Sequence, residues 1–246
     1  MRVVKILSLI AVFATLFSSC GNSTDDSEKS NKIDYTKFKC LKTLEGHSSP
    51  VFSVAYSTND SCIVSGSDDG VIKVWDAKTG ECIRTIEGHL NTITYVSYDQ
   101  SEGYITSRGN DYYIRTWDAN TGECTESIFS SYIPMGTMSY SPDKKYVAHA
   151  NGKSTIEIME VNTKESVKIL EGHSDDVYSA DYSPDGKYIV SGSLDGTIKI
   201  WNAKKGKCIH TLEGHSDGVN SVCWSNDGKY IVSGSWDKSI KIWGIE

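Results

Sequence analysis

The 246 residues include only four prolines, carry no excess of positive charge and contain no apolar run long enough to span a bilayer. Each shortage excludes something. Lys and Arg number 25 against 32 Asp and Glu, a net charge of −7, whereas a nucleic-acid binder needs a basic surface to meet phosphates. The longest apolar stretch, Ile6 to Phe17, is twelve residues interrupted by Ser8 and Thr15. That is well short of the roughly 20 residues a membrane-crossing helix requires. None of the seven cysteines has a close-spaced partner, so no structural zinc, and no other metal or cofactor, is expected. What the chain does have is 38% hydrophobic residues, 21 glycines, 14 tyrosines and 6 tryptophans. This suffices for a sizeable core, in a composition that favours strands.

The first 36 residues stand apart. Arg2 and Lys5 precede the apolar stretch, and Ser18 and Ser19 follow it before Cys20, the three-part order of a secretory signal. Leu16-Phe17-Ser18-Ser19-Cys20 resembles a bacterial lipoprotein signal, with Phe17 where that family usually has leucine. The resemblance implies removal of residues 1–19 and acylation of Cys20, which would anchor an exported protein on a membrane of the bacterial cell envelope. One acyl chain holds a protein only marginally, two or more hold it firmly. Residues 20–36 are rich in Ser, Asn, Asp and Lys and show no period of 2 or 3.6, so they are expected to form a disordered tether.

A 42-residue period organises the remainder. Gly46-His47, Gly88-His89, Gly172-His173 and Gly214-His215 keep that step, with the missing copy at Ser130-Ser131. A second signature keeps it too: Trp75-Asp76, Trp117-Asp118, Met159-Glu160, Trp201-Asn202 and Trp243-Gly244. Five units fill residues 37–246, and the fourth and fifth agree at 23 of 42 positions. Within the fourth, Val177 to Tyr182, Tyr188 to Ser191, Ile198 to Trp201 and Cys208 to Leu212 read as strands between Gly/Asp turns. Four strands per unit form an antiparallel sheet that must stack on its neighbours to bury its faces. Sheets of this period with GH and WD signatures make propeller blades.

Residues 37–246 resemble the WD-repeat family of β-propellers. The resemblance implies an all-β, five-bladed propeller with strands a to d running outward from the axis, although most members of the family have seven blades. The array opens with an outermost strand, Cys40 to Leu44, and stops at a third strand, Ile240 to Trp243. Pairing of these two is expected to close the ring and remove two exposed edges.

Ser, His and Asp recur together, which suggests hydrolytic chemistry. The tetrads are His47, Ser65, Asp69, Trp75; His89, Ser107, Asp111, Trp117; His173, Ser191, Asp195, Trp201; and His215, Ser233, Asp237, Trp243. Four copies argue for a device that every blade needs, since an active site requires one nucleophile in one cleft. The family resemblance implies a hydrogen-bonded chain from Asp through His and Ser to the indole. Unit three has Ser131, His149, Lys153 and Met159 at these positions and is expected to be the least stable. Cys40, Cys82, Cys124 and Cys208 share one phase on different blades, too far apart for disulfides, while a Cys62–Cys223 bridge stays open.

Partner recognition must reside at solvent-facing positions that differ between blades. By resemblance, these are the residues three and five after each His and the one before each tetrad Asp. They are Pro50, Phe52 and Asp68; Thr92, Thr94 and Asn110; Pro134, Gly136 and Gly152; Asp176, Tyr178 and Leu194; Gly218, Asn220 and Trp236. Phe52, Tyr178, Leu194 and Trp236 are expected to form an exposed apolar patch flanked by Asp68 and Asp176, or to cap the channel by packing on each other. The expected function is a non-enzymatic scaffold for a protein or peptide. The alternatives are a carbohydrate-binding or carbohydrate-active propeller, for which no acid/base pair is visible by spacing, and a purely structural envelope protein.

Overall fold

The computed structural model describes residues 33–99, 103–130, 138–150 and 153–246. The signal segment, Cys20 and the tether as far as Lys32 lie outside the described residues, as do Ser131, Pro134, Gly136 and Gly152. No helix among the described residues is long and apolar enough to cross a membrane.

After a 3-10 turn at Tyr35–Lys37, every regular element among the described residues is a strand. β1 (Lys39–Leu44) comes first and belongs to the last sheet. The first sheet is β2 (Val51–Tyr56), β3 (Cys62–Ser67), β4 (Val71–Asp76) and β5 (Cys82–Glu87). The second is β6 (Ile93–Asp99), β7 (Tyr104–Gly109), β8 (Tyr113–Asp118) and β9 (Cys124–Phe129). The third is β10 (Met138–Tyr140), β11 (Tyr146–Ala150), β12 (Thr155–Glu160) and β13 (Ser166–Glu171). The fourth is β14 (Val177–Tyr182), β15 (Tyr188–Ser193), β16 (Ile198–Asn202) and β17 (Lys207–Leu212). The fifth holds β18 (Val219–Trp224), β19 (Ile231–Ser235) and β20 (Ile240–Gly244), and β1 completes it in the order β1-β20-β19-β18. The pairing of the two ends is antiparallel, with Cys40 opposite Trp243 and Leu44 opposite Ile240. The expected five-bladed propeller and its terminal latch are therefore present.

Burial follows position in the blade. Strand two of a sheet, such as β15 or β19, is buried on nearly every residue, because neighbouring sheets cover both of its faces. Its sequence is accordingly uncharged and compact: Ile-Val-Ser-Gly-Ser in both β15 and β19. The outermost strand keeps one buried anchor, Leu44, Ile86, Leu170 or Leu212, on an otherwise exposed edge. The apolar clusters lie between sheets. One joins the fifth to the first through Leu44, Ile240 and Val51, one the first to the second through Ile72 and Ile105. The others join the third to the fourth through Leu170 and Val177, and the fourth to the fifth through Ile200 and Val219.

The GH signature has a packing reason. A Cβ on Gly46, Gly172 or Gly214 would meet the indole of Trp75, Trp201 or Trp243 at 3.3, 3.2 and 3.1 Å, and each glycine has a positive φ of about 150°. The acid of the WD signature caps the following turn. Asp76 Oδ1 accepts from the amides of Lys78 and Thr79 at 2.9 and 2.6 Å, and Asn202 substitutes in unit four by accepting from Lys205 N at 2.7 Å.

One expectation needs correction. The tether was expected to run through Thr36, but Tyr35 is buried, in edge contact with Trp224 and 4.5 Å from the ring of Tyr188, while Phe38 is buried beside it. The compact unit begins at Ile33. A single aromatic residue with a waiting apolar cleft outweighs the polar composition around it.

Candidate functional site

The four tetrads assemble as linear chains. Trp75 Nε1, Trp117 Nε1, Trp201 Nε1 and Trp243 Nε1 donate to Ser65, Ser107, Ser191 and Ser233 Oγ at 2.7–2.9 Å. Each Oγ lies 2.7–2.8 Å from the Nε2 of His47, His89, His173 or His215. In units two, four and five, Nδ1 meets Asp111, Asp195 or Asp237 at 3.0, 2.8 and 2.8 Å. With Nδ1–H donating to the carboxylate, Nε2 accepts from the serine hydroxyl. Unit one is looser: His47 Nδ1 stands 3.5 Å from Asp69 Oδ2, which instead accepts from the amide and hydroxyl of Ser48. Unit two adds Arg115, which donates to Asp111 Oδ2 at 2.6 Å and lies over the ring of Tyr113.

Chemically these chains are closed. The serine hydroxyl is spent between indole and imidazole, and all four serines are fully buried. No substrate atom can approach such an oxygen without breaking the chain, so the triad lacks what acyl transfer requires.

Their electrostatics make the fold acid-sensitive. Burial holds His47, His89 and His173 below the ordinary imidazole value of 6.5 despite the neighbouring carboxylates. For Asp111, burial alone would raise the pKa, but hydrogen bonds from Arg115 and His89 outweigh it and hold the carboxyl at about 2. Asp195 is likewise held at about 2 by Thr197 and His173, against its burial. Both signs point the same way. Unfolded histidines take protons near pH 6.5 that the folded ones refuse, and unfolded aspartates take them near 3.8, above the folded values. Stability should thus decline below about pH 6.5 and again below about pH 4, with Asp111 and Asp195 contributing about 2 kcal/mol each at neutral pH. Burial raises the pKa of Asp181, which opposes this trend at one site. Melting temperature measured from pH 7.5 to 3 checks it, and a flat profile would contradict it.

At the mouth, the structure pairs the residue three after each His with the one before each Asp. Asp68 N donates to Pro50 O, Asn110 N to Thr92 O, Leu194 N to Asp176 O and Trp236 N to Gly218 O, all at 2.8–3.0 Å. Two corrections follow. Thr92 and Asn220 are buried: Thr92 Oγ1 donates to Asp68, and Asn220 Nδ2 donates to Val51 O at 3.2 Å. They tie blades together and leave the solvent-facing set. The apolar four are half-buried where exposure was expected. Tyr178 stacks on Trp236 with centroids 6.4 Å apart and planes inclined at 31°, because neighbouring blades converge at the mouth. Leu194 lies against Gly218, where a Cβ would sit 2.7 Å from Cδ2. Pro50, Thr94 and Asp176 are also half-buried, and Asp68 and Asn110 are exposed.

Several exposed apolar residues escaped the sequence reading. Leu90, Tyr112, Tyr113 and Phe129 are exposed on the second sheet, with Tyr113 and Phe129 ring to ring at 5.8 Å. The signal was present: Phe129 occupies the phase of Glu87, Glu171 and Glu213, and Leu90 that of Ser48, Ser174 and Ser216. Cys62 and Cys223 are both free thiols, which settles the bridge left open above.

Comparison with known proteins agrees with this geometry. The family model described as WD domain, G-beta repeat matches residues 38–76, 80–118, 164–202 and 206–244, passing over unit three. The vegetative incompatibility protein HET-E-1 of Podospora anserina is 54% identical over 41 residues, 17% of this chain. The dynein assembly factor with WD repeat domains 1 of Danio rerio is 37% identical over 54 residues, 22% of this chain. These segments cover 3% and 13% of those two proteins.

Proposed function

The chain belongs to the WD40 repeat family, and from that premise we propose that it is a non-enzymatic scaffold, exported and held on a membrane by lipid on Cys20, that binds a protein or peptide at the propeller mouth. The observation that carries the reading is the contrast between repeated and unrepeated phases. Residues that build the blades recur with the 42-residue step, whereas the mouth presents Phe52, Thr94 and Tyr178 at one phase and Asp68, Asn110, Leu194 and Trp236 at another. Tyr178 and Trp236 are the residue types that most often anchor interfaces, and Asp176 supplies a charge beside them. The indole N–H of Trp236 is buried with no acceptor among the described residues, so the support for this site is the ring's place beside Tyr178 rather than an available donor. Export and anchoring rest on Arg2, Lys5, the Ile6–Phe17 stretch and the residues around Cys20.

Crosslinking pull-down from cells producing the full chain, grown with a labelled fatty acid, tests both parts. The protein should carry the label at Cys20, and a Tyr178→Ala, Trp236→Ala double variant should lose about 10-fold or more of its captured partner. Unchanged capture would remove the mouth as the binding surface. A glycan-array signal abolished by the same variant would favour the carbohydrate reading instead.

A further inference from the structure

The described chain enters the propeller at the end opposite the mouth. β18 begins beside the mouth residue Gly218 and ends at Trp224, and Tyr35 meets that far end. Its ring lies 5.2 Å from that of Trp224, and its hydroxyl donates to Gly228 O at 3.3 Å, in the turn that follows β18. Tyr188, which starts β15 at the end away from Leu194, closes the same cleft at 4.5 Å. Phe38 O lies 3.0 Å from His210 Nε2 on β17. The chain before Ile33 is therefore joined at this end, where the fourth and fifth sheets meet.

The two ends differ in charge. The eight mouth-end connections described in full, such as 68–70 and 172–176, carry ten acidic residues and one lysine, Lys238. Around the entry, residues 33–39, 183–187, 203–207, 225–229 and 245–246 hold seven lysines and four acids. Each of those acids is matched: Asp34 to Lys37, Glu246 to Lys39, Asp185 to Lys187 and Asp227 to Lys229, at 2.8–3.7 Å. Lys204, Lys205 and Lys207 are exposed and pair with no carboxylate among the described residues. The blade itself does not require them. Glu81, Glu123 and Glu165 occupy the phase of Lys39 and Lys207, and Thr79, Thr121 and Thr163 that of Lys37 and Lys205. Lysine replaces them only on the two sheets that flank the entry.

We propose that this end is a docking surface for anionic phospholipid headgroups, so that the chain sits with the lysines of its fourth and fifth sheets on the bilayer and its mouth directed away from it. The setting rests on the reading of Cys20 as acylated. Residues 20–32 number thirteen and span no more than about 45 Å even fully extended, so an acyl chain on Cys20 keeps the entry end near the surface. One acyl chain binds marginally, and a basic patch is a second signal that makes such binding firm. The net charge of −7 does not forbid this, because charges farther from the surface than about 10 Å, the screening length in about 0.1 M salt, contribute little. The acidic mouth is left facing the solution, open to a partner.

Vesicle flotation tests the surface apart from the anchor. Residues 20–246 carrying Cys20→Ser keep every strand and lack the acylation site. They should float with vesicles containing phosphatidylglycerol in low salt, detach in high salt and ignore vesicles of phosphatidylcholine alone. No flotation would overturn the proposal. Lys204→Glu, Lys205→Glu and Lys207→Glu together should weaken binding about 10-fold or more, and the same charge change placed elsewhere, Lys78→Glu, Lys164→Glu and Lys238→Glu, about 3-fold at most. Equal losses would reduce the effect to net charge and overturn the patch. A second arm reads orientation in the full acylated chain on the phosphatidylglycerol vesicles, with Cys40, Cys82, Cys124 and Cys208 replaced by serine. A headgroup-tethered quencher should dim a dye on Lys205→Cys several-fold more than one on Asp217→Cys, and equal dimming would overturn the proposal. Loss of the fatty-acid label with flotation retained would remove the anchor and leave the lipid surface standing.

Discussion

A variant lacking residues 37–45 is expected to lose cooperative melting. The segment supplies β1, whose pairing with β20 runs from Lys39 opposite Gly244 to Leu44 opposite Ile240. Leu44 is buried in the cluster between the fifth and first sheets, and Phe38 in the one between the fourth and fifth. Lys42 reaches the turn after β4, and Lys241 Nζ donates to Thr43 Oγ1 at 2.8 Å. Deletion removes all of this at once and leaves β20 as an unpaired edge carrying Ile240, Ile242 and Trp243, a template for aggregation. The graded control is Leu44→Ala, which keeps the strand and should cost about 2–4 kcal/mol. Calorimetry of the two variants distinguishes them: a broad or absent transition for the deletion, a sharp one at lower temperature for the point variant. A deletion variant with unaltered melting would mean that the latch contributes nothing.

The second large effect is expected at the tetrads and is unequal between blades. Ser191→Ala leaves the Trp201 indole N–H and His173 Nε2 buried without a partner, which should cost about 2–4 kcal/mol. Trp201→Phe removes one of the stranded groups, so the double variant should be less destabilised than the sum of the singles, a coupling of about 1 kcal/mol or more. In unit three, His149 occupies the serine phase with Met159 in place of the tryptophan, and no chain exists to break. His149→Ala should therefore change stability by less than about 1 kcal/mol. Chemical denaturation of the four variants checks the pattern, and equal costs in units three and four would show that the tetrad is incidental.

Much of this was legible beforehand. The predicted strand Val177 to Tyr182 is β14 residue for residue, and the other three strands of unit four differ by one or two residues at an end. The pairing of Cys40–Leu44 with Ile240–Trp243 follows from counting four strands per unit. Tetrad membership follows from phase alone. The mouth was less legible: phase predicts which residues gather there, but whether Thr92 and Asn220 turn toward a neighbouring blade depends on Asp68 and Val51, supplied from another unit.

The sequence alone determined the repeat, its strands, the terminal latch and the identity of the residues that close each blade. These depend on the order of residues within a 42-residue unit, where turn chemistry and alternation act locally. Tertiary structure decided what happens between units. Two sides of a sheet look alike in a linear chain, and only stacking shows that Ile72 of the first sheet meets Ile105 of the second. The same holds at the mouth, where Tyr178 and Trp236 lie 58 positions apart in the chain and touch because adjacent blades converge.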